Sequence, residues 1–245
     1  MLDDREAAAL ARWNTPTIYN GWEALTRSER TSLRVNLDPV TDYLPEAGPI
    51  VGTAVTLVIE PSNPRWPREL PDAVHAYRAY VASVPGPKVV VVQDLDAVTI
   101  GSFWGEVNAN VHRALGCVGA ITDGAIRDLD EVRALGFKSL ARRLCVGHAY
   151  AQPVRWNVPV TVFGTEVRPG DLIHADQHGF MVIPEEDREG LPEAAAYLDA
   201  AERATLIGVV AAHRGTPEEA LPKLREAQER FGERVMARYR GRGEF

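Results

Sequence analysis

The run Val89-Val90-Val91-Val92, introduced by the turn-forming Pro85-Gly86-Pro87-Lys88, constrains this chain more than any other stretch. Four β-branched residues in succession favour an extended strand. Successive side chains of a strand point to opposite faces, so both faces here are apolar and both must be covered. Strands of that kind belong to largely parallel sheets flanked by further layers. Neighbouring segments carry the same message. Residues 50–60, IVGTAVTLVIE, are rich in β-branched residues and read as a strand. Residues 104–115 read as a helix with Trp104, Val107, Val111 and Leu115 on one stripe. CVGAIT (117–122) is a strand, DLDEVRALG a short helix ended by Gly136, and FKSLARRL (137–144) another strand.

The flanks add helices and short strands. The first fifty residues read as helix, loop and second short helix, with the loop at Asn14-Thr15-Pro16-Thr17. PSNPRWPRELP (61–71) is proline-rich enough to be a surface loop, and Ala73–Val84 follows as a helix. PVRWNV, PVTVFG and RPGDLIHADQHGFMVIP, punctuated by glycine and proline, are compact short strands. Pro184-Glu185-Glu186 opens the first of two C-terminal helices. Thr216-Pro217-Glu218-Glu219 opens the second with a capping box. The last 26 residues hold seven Lys/Arg against four Glu, a basic balance that a solvated helix face with pairs such as Glu226/Arg230 explains. With no repeat or linker, the expectation is one domain: a helical segment over 1–45, an α/β domain over 46–190, and C-terminal helices over 191–245 packed on it.

A net charge of −7 argues against general nucleic-acid binding, which needs a basic surface. No apolar run approaches the roughly 20 residues of a membrane helix. The start, MLDDREAAALARW, lacks the basic and apolar regions of a signal peptide. Cys117 and Cys145 lack metal-site spacing and read as two buried free thiols in a reducing cytoplasm. Nucleotide-type glycine loops and a Gly-x-Ser-x-Gly elbow are both missing from the sequence.

The segment 101–137, GSFWGEVNANVHRALGCVGAITDGAIRDLDEVRALGF, carries the candidate chemistry. Gly101 and Gly105 flank a turn into a helix, where unpaired N–H groups can receive an anion and glycine permits close approach. Glu106 in the first turn either stands beside that anion or complements the helix dipole. Asp123-Gly124-Ala125-Ile126-Arg127-Asp128 links a strand to a helix, the usual ligand position in α/β proteins. Arg127 offers a planar fork for a carboxylate or enolate, and Asp128 a hard oxygen ligand for magnesium. The alternative is structural: Asp128 N-caps the following helix, Asp123 caps a turn, and Arg127 pairs with one of them. His174 and His178 read as polar turn residues rather than metal ligands, and His148 and His112 similarly; Trp104 is either a pocket wall or core.

Taken together, Gly105-Glu106, about twenty intervening residues and Arg127-Asp128 resemble the core pattern of the RraA-like / 4-hydroxy-4-methyl-2-oxoglutarate aldolase family. The resemblance continues through EVRPGDLIHADQHGFMVIP (166–184) and covers roughly residues 45–190. It implies a three-layer, swivelling β/β/α domain with a C-terminal helical tail, assembled as a homotrimer or hexamer with sites between subunits. It also implies a class II lyase, dependent on Mg2+ or Mn2+, that releases pyruvate from a 4-hydroxy-2-oxo acid or oxaloacetate. By resemblance, the backbone of Gly105, Glu106, Val107 and Asn108 binds the pyruvyl end and Arg127 contacts substrate. Asp128 carries the metal, and Glu106 positions a water. Many aldolases of the family read Gly-Asp-Asn-Leu where this chain has Gly-Glu-Val-Asn. A neighbouring subunit also supplies an acid there; Glu185 and Glu186 are available. Loop 61–71 has no counterpart that assigns it a role. The alternative within the resemblance is a non-enzymatic regulator that docks on an RNA-degrading enzyme. That branch tends to lack the acid after the arginine, so Asp128 favours the enzyme.

Overall fold

The protein is described here by a computed structural model covering residues 2–27 and 34–239. In chain order its helices and strands begin with α1 (Asp4–Leu10), α2 (Thr15–Leu25), β1 (Thr41–Asp42), β2 (Ile50–Ile59), α3 (Trp66–Glu69), α4 (Ala73–Ser83) and β3 (Lys88–Asp94). Then follow β4 (Ser102–Trp104), α5 (Glu106–Ala114), β5 (Cys117–Ile126), α6 (Leu129–Leu135), β6 (Lys138–Leu144) and β7 (Arg155–Trp156). The chain continues through β8 (Val160–Val162), β9 (Thr165–Val167), β10 (Leu172–Asp176) and β11 (Gly179–Ile183) to α7 (Leu191–Glu202), α8 (Gly208–Ala212) and α9 (Pro217–Arg238).

β3 occupies the position its valines demand. It runs parallel to β2 on one side and β5 on the other, and all four valines are fully buried. Val90 and Val92 enter one core with Tyr77 and Val81 of α4, Ala109 of α5 and Val132 of α6. Val89 and Val91 enter a second core with the β8–β9 hairpin and with Ile173, Ala175, Phe180 and Val182 of β10 and β11. The main sheet runs β1-β6-β5-β3-β2-β10-β11, with β4 beside β5 and β7 beside β2. β10 and β11 continue the sheet beyond β2, yet share the second core with Ile121 of β5 and Leu140 of β6. The sheet therefore curls toward closure. Helices on one face and hairpins on the other give the expected three layers.

These elements belong to a unit formed by Met1–Thr15 and Leu33–Pro184. A second unit, Pro16–Ser32 with Glu185–Phe245, packs Ala24, Leu198, Ala201, Phe231 and Val235 together. Within it Trp22 Nε1 donates to Asp187 at 2.8 Å. α9 starts with the Thr216–Glu219 capping box, and Arg230 pairs with Glu226 at 2.6 Å. Arg240, Arg242 and Glu244 of the basic tail lie outside the described residues.

Several local expectations are corrected. Thr15–Thr17 is helical, because Pro16 is tolerated in a first turn. The proline-rich stretch 61–71 contains the single-turn α3, again with proline at its start. Pro184 does not open a helix: a 3-10 turn, Glu185–Asp187, precedes Gly190, and α7 starts at Leu191 with Pro192 in its first turn. The helix expected from Trp104 starts at Glu106, and its buried residues are Ala109 and His112, not the Trp104–Val107–Val111–Leu115 stripe. Val107 is 70% exposed. Trp104 belongs to β4 instead, where its ring packs edge-on against His112 at 4.7 Å. His174 is no turn residue either. It is fully buried in β10, bonded to Thr15 Oγ1 at 2.9 Å and to the Leu10 carbonyl at 3.3 Å. Cys117 is buried, but Cys145 is only half-buried.

Candidate active site

The parallel strands β4, β5 and β6 end side by side, Trp104 and Leu144 both being register partners of Ile126. Ligands of open α/β sheets collect at such carboxyl ends. The residues just past them are Gly105, Arg127-Asp128 and Cys145-Val146. β5 runs to Ile126, four residues beyond CVGAIT, so Asp123 lies within a bulged strand rather than at a turn. Its Oδ1 accepts the backbone N–H of Asp94 at 2.8 Å.

Asp128 occupies the N-cap position of α6 but does not cap it. Its backbone is left-handed (φ 56°, ψ 48°), and its side chain makes no bond to the α6 amides. Oδ2 instead accepts the N–H of Glu106 at 3.0 Å, at the start of α5. One carboxylate therefore neutralises an orphan amide of a helix 22 residues earlier in the chain. The left-handed conformation, which Asp tolerates better than most residues, aims the carboxylate there. The same Oδ2 lies 3.5 Å from Arg127 Nε, both side chains being a little over one-third exposed. Arg127 is held by its own N–H to the Trp104 carbonyl at 3.1 Å.

Gly105 explains the spacing of the motif. A β-carbon at this position would collide with Asp128 Oδ2 and approach Arg127 Cγ to 3.1 Å. Only a glycine lets the Arg-Asp pair fold against the start of α5. The first-turn amides of Val107 and Asn108 have no acceptor within the helix. Their side chains serve otherwise: Val107 faces solvent, and Asn108 Nδ2 donates to the Phe103 carbonyl at 2.6 Å. Glu106 is exposed, and no ion pair holds its carboxylate among the described residues. Its backbone, not its carboxylate, is what the fold fastens to Asp128.

A cavity of about 460 Å³ opens beside this pair, walled by Arg127, Asp128, Arg143 and Cys145 with apolar Leu129 and Leu144. Gly105, Glu106, Val107 and Asn108 adjoin Asp128 but are not among the residues that line this cavity. The sequence assigns no site role to Arg143 and marks Cys145 only as a free thiol. The adjacent basic residues at the end of a parallel strand were the available signal.

A second cavity, about 350 Å³, is bordered by Asp94, Asp96, Asp123, Arg142 and Arg143. Burial pushes the Asp94 carboxyl up to about 7 and the Asp123 carboxyl up to about 6. Asp94 Oδ1 accepts the Asp96 N–H at 3.0 Å, while buried Oδ2 has no partner among the described residues. His178 pairs with Asp176 at 3.1 Å, as suits a turn residue. His148 is exposed, its Nδ1 2.8 Å from the Ala149 carbonyl oxygen. His112 is buried between Tyr77 and the Asn108 carbonyl, and burial lowers it to about 4.

No group of three or more His, Cys, Asp or Glu side chains is arranged to hold a metal ion among the described residues. The donor set at the strand ends is one carboxylate, Asp128, backed by an amide and open to the cavity. That suits a hard cation that keeps several waters and takes one protein carboxylate plus substrate oxygens, the habit of magnesium. It does not suit a closed structural zinc site.

Residues 15–182 match the family model described as RraA-like: Aldolase/RraA. The chain belongs to the RraA-like family. Among its RraA-like relatives, a Halalkalibacterium halodurans protein provisionally named 4-hydroxy-4-methyl-2-oxoglutarate aldolase is 29% identical over 161 residues, covering 65% of this chain and 71% of that one. Protein DlpA of Legionella pneumophila is 25% identical over 137 residues, 55% of this chain but only 21% of DlpA. Of solved structures, Streptomyces coelicolor RraAS2, described as an unusual member of the RNase ES inhibitor RraA family, superposes with a TM-score of 0.66 at 24% identity. That superposition covers 83% of this chain and 96% of RraAS2, and it shows the shared fold. No described helix of this RraA-like chain is long and apolar enough to cross a membrane.

Proposed function

We propose that this RraA-like chain is a divalent-metal-dependent carbon–carbon lyase of class II type. Its substrate would be a 4-hydroxy-2-oxo acid of the 4-hydroxy-4-methyl-2-oxoglutarate kind, or oxaloacetate, and its product pyruvate. The observation that carries the reading is Asp128, whose carboxylate is fastened to the first amide of α5 and beside Arg127 on the wall of a cavity. Relatives provisionally named as such aldolases support it.

Magnesium or manganese held by Asp128 would supply Lewis-acid polarisation of the 2-oxo group. The chain's own residues do the rest. Arg127 places a planar cation where negative charge develops on the 2-oxo oxygen as the C–C bond breaks. The first-turn amides of Val107 and Asn108, which adjoin Asp128 but do not line the cavity, would receive the adjoining carboxylate of a substrate that extends past Asp128. Glu106, exposed and unpaired, orients a water that takes the 4-hydroxyl proton as the C–C bond breaks and returns a proton to the enolate methylene carbon; with oxaloacetate, where CO2 leaves, only the second transfer is needed. A further acid would come from a neighbouring copy in a trimer or hexamer. Light scattering tests that arrangement, and a fully active monomer would refute it. The decisive experiment is pyruvate release across a panel of 2-oxo acids with and without magnesium. Metal-independent release, or none from any substrate, overturns the proposal.

A further inference from the structure

Arg143 stands near the end of β6, opposite Ala125 of β5. Strand alternation from Ala141, a member of the helix-side core, places Arg143 on that same face and Arg142 on the other. Arg142 is engaged there. Its guanidinium lies 5.4 Å from the Phe163 ring centroid, and its Nε donates to the Asp123 carbonyl at 2.7 Å. Arg143 is not engaged. Among the described residues its one hydrogen bond runs from Nε to the carbonyl of adjacent Leu144 at 3.1 Å, and no carboxylate pairs with it.

The charged residues on the wall of the 460 Å³ cavity are thus Arg127, Asp128 and Arg143. Asp128 faces Arg127 at 3.5 Å, which leaves the charge of Arg143 uncompensated. Two guanidinium groups from neighbouring strands, separated by apolar side chains, match a ligand with two anionic ends joined by a short alkyl chain. Under the 2-oxo-acid reading, on which this inference rests, one end is the 2-oxo carboxylate near Arg127 and Asp128. We infer that Arg143 anchors the distal carboxylate, which makes it a specificity residue for dicarboxylic 2-oxo acids. Arg143 also borders the second cavity, with its three aspartates. If it turned to those acids instead, it would have no influence on ligand choice.

Calorimetry in magnesium-containing buffer tests this with 2-oxoglutarate and 2-oxopentanoate, five-carbon 2-oxo acids that differ only in the distal carboxylate. The wild type is expected to bind 2-oxoglutarate about ten- to hundredfold more tightly, the range of a charge-assisted hydrogen bond. R143M is expected to lose that preference while keeping its affinity for 2-oxopentanoate within about twofold. R143Q, which keeps hydrogen-bonding capacity without charge, must lose most of it too. Arg143 is exposed, so both variants should fold. Equal binding of the two acids by wild type, or a preference that survives in R143M, overturns the inference. The two proposals fail separately. An Arg143-dependent preference without pyruvate release from any substrate refutes the lyase and leaves the anchor standing. Pyruvate release without the preference does the reverse.

Discussion

Replacing Asp128 by asparagine separates a metal-holding carboxylate from a structural one. The Asp128→Asn side chain keeps the size, tolerates the left-handed backbone and still presents an oxygen to the Glu106 N–H. What changes is charge. A hydrogen bond to a charged acceptor contributes about 1.5–3 kcal/mol and a neutral one about 0.5–1.5, so roughly 1 kcal/mol is lost. The Arg127 pair, more than one-third exposed at 3.5 Å, adds at most about 0.5 kcal/mol. For a chain of this size that lowers Tm by about 2–6 °C. Turnover should fall far more, by at least about a hundredfold or roughly 2.7 kcal/mol, because a hard cation needs the anionic oxygen. The assay is pyruvate release against magnesium concentration, with a thermal melt of each protein. Asp128→Ala should melt lower still, since alanine is strained by about 1–2 kcal/mol in the left-handed region. If Asp128→Asn turns over normally at limiting magnesium, the metal assignment is wrong. A fall in Tm well beyond about 6 °C would show instead that the carboxylate holds the fold.

Gly105→Ala should fold, because φ −173° suits any residue, but its methyl collides with Asp128 and crowds Arg127; turnover should drop at least about tenfold, with a melt shift of a few degrees. Asp94 lies at about 7 in the folded protein against an ordinary 3.8, so the folded state holds a proton that the unfolded state sheds in that window. Its contribution therefore falls as pH rises from about 4 to 7, at up to roughly 1.4 kcal/mol per pH unit, and Asp94→Asn should match wild type near pH 4 and exceed it above pH 7 in denaturant titrations. His112 and His174, both lowered to about 4, act oppositely by losing stability as pH falls from 6.5, so the wild-type-minus-variant difference, not the raw profile, is the diagnostic. Asp42→Ala should cost about 3–5 kcal/mol in chemical denaturation, because it leaves the charge of fully buried Lys138, whose Nζ lies 2.5 Å from Asp42 Oδ2, with only the neutral Leu44 carbonyl at 3.1 Å. A loss below about 1 kcal/mol would show that the Leu44 carbonyl and entering water suffice for Lys138.

Some features of this protein were decided by its sequence, because they depend on neighbours along the chain. Val89–Val92 had to be a strand with both faces covered, whatever packed on it. Gly136 ends α6 in a left-handed conformation, and Thr216 with Glu219 closes the capping box of α9, both from local chemistry alone. The glycine, arginine and aspartate of the candidate site were legible too, as was the resemblance that joins them. Other features needed the third dimension. The stripe through Trp104 and Val107 failed because a strand, β4, ends where helical periodicity was assumed to begin, and periodicity cannot say which side of a helix meets a neighbour. Asp128 looked like the cap of the helix that follows it. It caps α5 instead, because parallel β4 and β5 bring positions 106 and 128 together, and Gly105 has no side chain to keep them apart. Asp42 and Lys138 are far apart in the chain and become an ion pair only when β1 joins β6. Arg142 and Arg143 were two similar letters until the pleat of β6 sent one to Phe163 and left the other on the cavity wall. Local propensity follows from bonded neighbours, but charge compensation and cavity walls depend on which strands lie side by side, and that is decided only when the sheet forms.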